Sequence, residues 1–251
     1  MHNENLILTV WSYGLVGLVY SIFALHLCRL GYLNTPRSTA AMALLAAVAS
    51  CALWGWFSLA DLFVDHLIFG LLGTVSDILR YGFWYAFLLA VLRPQQTDQL
   101  SDRSPWMKHA AAGLVVLALF MKCFAILHIG NFSNESKFVL LSAMSLPVFA
   151  LLLVEQLFRN VHENARWNAK PLCLGLIGTF LFDLFVYSQG VLFNRIDEDA
   201  YNIRGFVQTL LAPLLLLSIS RRRDWISKLR VSRKAALTAG GSSRKNERRG
   251  S

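Results

Sequence analysis

Apolar residues in this chain come in long blocks separated by short polar joints. Neither the period of two of a half-buried strand nor the narrow stripe of a soluble amphipathic helix dominates. Seven blocks reach the roughly 20 residues that a helix needs to cross the hydrocarbon of a bilayer. They cover residues 6–27, 41–60, 68–92, 109–129, 137–158, 170–192 and 202–220. The pattern predicts an all-α, polytopic membrane protein: a seven-helix transmembrane bundle over residues 1–220, followed by a basic juxtamembrane segment and disordered tail over 221–251. The first block is preceded by Met1-His2-Asn3-Glu4-Asn5, without the basic residues that open a signal peptide. It reads as a first membrane helix with an exported N-terminus.

Composition supports this division. Of the 251 residues 55% are hydrophobic and only 16% charged, against about 25% charged in an ordinary soluble domain. Charge then orients the bundle. With the N-terminus outside, the inner joints and tail hold 19 of the 24 Lys and Arg, while the outer joints hold Lys137, Arg195 and, at the edge of the last span, Arg204. Basic residues concentrate on the cytoplasmic side of membrane proteins, so the expected orientation is N-terminus outside and C-terminus cytoplasmic. Trp106, Trp167 and Trp225 fall at the inner interface of that arrangement. The net charge of +9 lies wholly in the tail, where eleven basic residues meet two acidic ones. Such a segment suits the anionic inner leaflet, and no nucleic-acid partner is expected.

Candidate chemistry is sparse. Cys28, Cys51, Cys123 and Cys173 form no CxxC pair, and no two histidines stand at i,i+4, so neither a disulfide framework nor a metal site is indicated. No Ser/His/Asp set, HExxH, P-loop or glycine-rich nucleotide loop occurs; no catalytic residue and no cofactor are expected. Acidic residues cluster in the outer joints at Asp61, Asp65 and Asp197–Asp199, a pattern that loss of Lys and Arg from outer loops produces without any cation. Asn131-Phe132-Ser133 and Asn134-Glu135-Ser136 match the glycosylation triplet, which recurs by chance.

The informative residues are four ionisable side chains inside the spans: Asp77 and Arg80 in the third, Lys122 in the fourth and Asp183 in the sixth. Each costs roughly 2.5–3.5 kcal/mol to place at the bilayer centre, so each is expected to face protein or water and to have a partner. Asp77 and Arg80 are three residues apart and share a helix face. Asp183 belongs to a stripe of small and polar residues at i+4 intervals, Gly175, Thr179, Asp183 and Tyr187, which should face the bundle. Counted from the outer ends of their spans, Lys122 and Asp183 lie at similar depth. The expectation is a Lys122–Asp183 pair with Asp77 and Arg80 close by. The cluster serves either to lock helix packing or to respond to a ligand, proton or signal.

Seven helices invite comparison with other machines. A retinal protein needs a lysine in its last helix, and 202–220 contains none; Val91-Leu92-Arg93-Pro94 stands where a coupled receptor carries Asp-Arg-Tyr. A small-solute transporter is the alternative reading. Pro94-Gln95 resembles the proline-glutamine loops of some transporters, but has no second copy, and no internal repeat is evident. Pro147 and Pro213 interrupt the fifth and seventh helices, as prolines do in many bundles.

The run VEQLFRNVHENARWNAKPLCLGLIGTFLFDLFVYSQGVLFNRIDEDAYNIRGFVQTLLAPLLLLSISRRRDWISKLRVSR, residues 154–233, resembles the membrane region of PEP-CTERM/exosortase-system sensor histidine kinases. The matching features are Glu155-Gln156-Leu157 with Arg159-Asn160, Arg166-Trp167, Lys170, Gly175, Asp183, Tyr187-Ser188, Arg195-Ile196-Asp197, Arg204-Gly205, Pro213, and Trp225 with Val231-Ser232-Arg233. The first half agrees in helix pattern more than in motif. The resemblance implies a sensory input domain of a two-component system in the bacterial inner membrane. Its partners would be the bilayer, a cytoplasmic kinase module and a response regulator, and a homodimer is allowed. It also implies a further helix, a GAF-type domain, a phosphoacceptor-histidine hairpin and an ATP-binding domain. Here KAALTAGGSSRKNERRGS follows Arg233, and the last histidine is His162. The expectation is a membrane input region truncated before the catalytic domains, and no kinase activity within these residues.

Overall fold

A computed structural model of the chain describes residues 2–29, 39–64, 66–92, 104–127, 136–160 and 163–220, excepting the side chains of 2–5, 104–105, 163–168 and 219–220. Among the described residues there are seven helices and no strand: α1 (His2–Arg29), α2 (Thr39–Phe63), α3 (Leu67–Leu92), α4 (Ser104–Ile126), α5 (Lys137–Asn160), α6 (Glu163–Phe193) and α7 (Glu198–Ser220). Each is long and apolar enough to cross a membrane. The tail 221–251, Trp225, Asp65, Pro94-Gln95 and the Asn131 and Asn134 positions of the two triplets lie outside the described residues, as does the side chain of Trp167.

The helices form because a bilayer leaves backbone amides no other partner than their own segment. They extend two to seven residues past several of the apolar blocks, because flanking residues join their first or last turns. In α7, Asp197 caps the helix: its carboxylate accepts from the Asp199 amide at 3.0 Å and its carbonyl from the Tyr201 amide at 2.9 Å. A side-chain oxygen at this position satisfies amides that the first turn leaves unpaired. Asn194 ends the preceding turn with φ of 56°, in the left-handed region that asparagine tolerates. Consequently the span that hydropathy starts at 202 begins at Glu198, and Arg204 lies six residues inside the helix.

Neighbouring helices pack in the order α1–α2–α3–α5–α6–α7, and α7 returns to α1, closing a ring. Helix α4 packs outside it, against α3 and α5. The outward faces are apolar, with Trp11, Ile22, Leu25, Phe63, Phe138, Leu174 and Leu192 largely exposed. The inward faces carry Tyr13, Val16, Tyr20, Phe23 and Leu27 of α1, Trp54 of α2, and Tyr81, Trp84 and Leu88 of α3, all buried.

Two backbone approaches hold the ring at α1. A Cβ on Gly55 would stand 2.5 Å from the Gly17 amide nitrogen, so glycine alone lets α2 lie this close to α1. A Cβ on Gly205 would collide with Ser12 Oγ and stand 2.7 Å from the Ser12 carbonyl, and this contact seats α7 on α1. Close approach over small residues is the common means of packing helices in lipid. Ser12 completes it, its hydroxyl donating to the Asn202 carbonyl at 2.6 Å and accepting from the Phe206 amide at 3.2 Å.

Candidate functional site: a buried four-charge network

Inside the ring, α3, α6 and α7 bring two carboxylates and two guanidiniums together. Asp77 and Asp183 each lie ten residues from the helix ends at Leu67 and Phe193, about 15 Å at 1.5 Å per residue, the middle of a roughly 30 Å hydrocarbon layer. Helical spacing aims the side chains inward. On α3, Asp77, Arg80, Tyr81 and Trp84 share one face; on α7, Arg204, Gln208, Leu211 and Leu215 do.

Every acid meets every base. Arg80 Nη2 donates to Asp77 Oδ1 at 2.8 Å and to Asp183 Oδ2 at 3.1 Å. Arg204 Nε donates to Asp183 Oδ1 at 2.8 Å, while its Nη1 and Nη2 donate to the two oxygens of Asp77 at 3.1 and 3.2 Å. The Tyr81 hydroxyl donates to Asp183 Oδ2 and the Tyr187 hydroxyl to Asp77 Oδ2, the latter at 3.5 Å. None of the four charged residues is more than 6% exposed. The network is electrically neutral, which is what allows it in a medium where one unpaired charge is expensive.

A second layer positions the arginines. Arg80 Nη1 donates to Gln208 Oε1 at 2.8 Å. Gln208 Nε2 donates to the Tyr20 hydroxyl and to Cys51 Sγ, both at 3.4 Å, and Tyr20 donates to the Gln208 carbonyl at 2.9 Å. Helix α2 contributes no charge but supplies Trp54, whose ring centre lies 4.2 Å from the Arg80 guanidinium carbon and 5.5 Å from that of Arg204. Tyr201 and Tyr187 flank Arg204 at 4.9 and 5.3 Å. Aromatic faces attract desolvated cations by about 2 kcal/mol. Arg80 Nε and, one turn along α3, Trp84 Nε1 are buried without an acceptor among the described residues.

Of the expected cluster, Asp77, Arg80 and Asp183 meet as one network and Lys122 does not join it. The expected Lys122–Asp183 pair is corrected: Asp183 is matched by Arg80 and Arg204, and Lys122 makes no ion pair among the described residues. Helix α4 packs outside the ring, against α3 and α5, and from there Lys122 does not come within ion-pair distance of Asp183, whose two oxygens are taken by Arg80 and Arg204. Arg204, which sequence placed at the edge of the last span, supplies the missing cation. The Asp197 cap was the available signal, because it moves the start of α7 outward.

The stripe Gly175, Thr179, Asp183 and Tyr187 is buried along α6. Its members act differently. A Cβ on Gly175 would meet Leu211 and Leu214 of α7 at 2.5 and 3.1 Å. Thr179 returns its hydroxyl to the Gly175 carbonyl at 2.9 Å, within its own helix. Asp183 and Tyr187 reach across to the network.

The described residues hold no group of three metal-ligating side chains. An open cleft of about 610 Å³ lies at the α6–α7 turn, lined by Gln189, Phe193, Arg195, Ile196, Asp197 and Glu198. Comparison with family models, with curated proteins and with solved structures returns no match.

Proposed function

We propose that this chain is a membrane-embedded sensory input domain, similar to those of exosortase-system sensor histidine kinases, lying in a bacterial inner membrane with its N-terminus outside. The observation that carries the reading is the tie between α7 and the buried network. Arg204 and Gln208 fasten the last helix to α3, α6 and α1, and α7 leads into the basic segment beginning at Arg221. A stimulus at the outer half that changes the packing of α3 and α6 then moves α7, and with it whatever follows on the cytoplasmic side. Such transmission requires two packings that the stimulus favours unequally. The buried network supplies discrete partners that two packings can share differently. The excess of basic residues in the inner joints and tail supports the orientation.

A chimera joining residues 1–233 to the kinase half of an exosortase-system sensor kinase tests this. Output should respond to conditions that induce exosortase genes, and Arg204→Gln should fix it at one level. A chimera silent under all such conditions, with proteoliposomes of residues 1–233 that carry a small solute and lose flux in Asp183→Asn, would replace the sensor by a transporter.

A further inference from the structure

The four charges do not form one indivisible knot. The two shortest charged contacts lie within parts: Arg80 with Asp77 at 2.8 Å, both on α3, and Arg204 with Asp183 at 2.8 Å, on the adjacent α7 and α6. The ion pairs that cross between those parts are longer: 3.1 Å from Arg80 to Asp183, and 3.1 and 3.2 Å from Arg204 to Asp77. Each part contains one acid and one base. Cutting the network between α3 and the α6–α7 pair therefore leaves two neutral, internally paired halves. Cutting it any other way strands opposite charges apart in a low-dielectric interior, where an unpaired ion is strongly disfavoured.

We propose that this boundary is a built-in seam along which the bundle opens, α3 with α2 on one side and α6 with α7 on the other. The remaining polar contacts across it are ones that water replaces readily: the Tyr81 hydroxyl on Asp183, the Tyr187 hydroxyl on Asp77, Gln208 on Arg80, and Gln208 on Cys51. The stacked rings of Tyr81 and Phe180, 5.8 Å apart, also cross it and must part. Trp54 stays with α3, its ring closer to Arg80 than to Arg204. The inference rests on the geometry of the network and is independent of the sensory reading.

Cys51 is the reporter. It is fully buried on α2 under the Gln208 amide, so seam opening uncovers its thiol. With Cys28, Cys123 and Cys173 replaced by alanine, its rate of reaction with a small maleimide measures the open population. Four double variants remove one acid and one base each, and so match in net charge. Asp77→Asn/Arg80→Gln and Asp183→Asn/Arg204→Gln leave one half intact and nothing charged across the seam. Asp77→Asn/Arg204→Gln and Asp183→Asn/Arg80→Gln leave a single pair that spans the seam and must stay closed to remain paired. The first two should label about tenfold faster than the last two, the ratio that about 1.4 kcal/mol of cross-seam attraction produces. Equal rates in both classes, or faster labelling in the spanning class, would overturn the proposal. So would failure of the first two variants to accumulate while the last two do, because the remaining half would then not be self-sufficient.

Discussion

Asp183 accepts from three donors, Arg204 Nε on one oxygen and Arg80 Nη2 and the Tyr81 hydroxyl on the other. An asparagine at this position could satisfy at most part of that set and would leave one positive charge uncompensated at mid-membrane. Breaking a buried pair by removing one partner costs about 3–5 kcal/mol. Asp183→Asn should therefore lower the unfolding free energy in bicelles by about that much, as measured by steric trapping. Lys122→Met is the contrast. Lys122 makes no ion pair among the described residues, and methionine keeps its length and apolar stem, so the change should stay within about 1 kcal/mol. Equal damage from the two substitutions would mean that the acid's partners are wrongly assigned.

Helices in this bundle meet where side chains are missing. Gly55 admits the α1 backbone and Gly205 admits Ser12, whereas a Cβ on Gly178, on the exposed side of α6, would meet nothing within 4 Å. Gly55→Ala and Gly205→Ala force α2 and α7 away from α1 and should each cost about 1–3 kcal/mol, the usual range for overpacking. Gly178→Ala should be neutral or gain up to about 1 kcal/mol from helix propensity. Thermal unfolding in one detergent ranks the three. A Gly205→Ala protein as stable as Gly178→Ala would contradict the α1–α7 contact. The elements themselves were legible in the apolar blocks, because length and hydropathy follow directly from the thickness of a bilayer. Their ends were not. Glu198 and Asp199 read as loop by hydropathy, but Asp197 caps them into the first turn of α7. Helix α4, predicted to run to 129, ends at Ile126.

The few residues at the start of α7 decided part of the site. Three of the four network charges could be named from sequence, since Asp77, Arg80 and Asp183 stand alone in apolar surroundings. The fourth was misassigned because pairing by depth depends on where each helix starts and on which helices form the ring. The earlier start of α7 takes Arg204 into the span, and hydropathy does not show that α4, with Lys122, packs outside the ring. Trp54, Gln208, Tyr20 and Tyr81 carried no signal at all. An aromatic or amide among apolar residues is ordinary; the packing of α2 on α3 brings Trp54 to Arg80, and the closure of α7 into the ring brings Gln208 to Arg80 and to Tyr20.

At the scale of the molecule, a neutral network of two acids and two bases joins α3, α6 and α7 inside a closed ring, and every other assignment follows from that junction. A double-mutant cycle between Asp183 and Arg204, read as unfolding free energy in bicelles with a parallel cycle between Asp183 and Lys122, tests it most directly. The network predicts a coupling of at least about 2 kcal/mol for Asp183 with Arg204, within the range for residues sharing one buried network, and within about 0.5 kcal/mol of zero for Asp183 with Lys122. Near-zero coupling with Arg204 and a large coupling with Lys122 would contradict it.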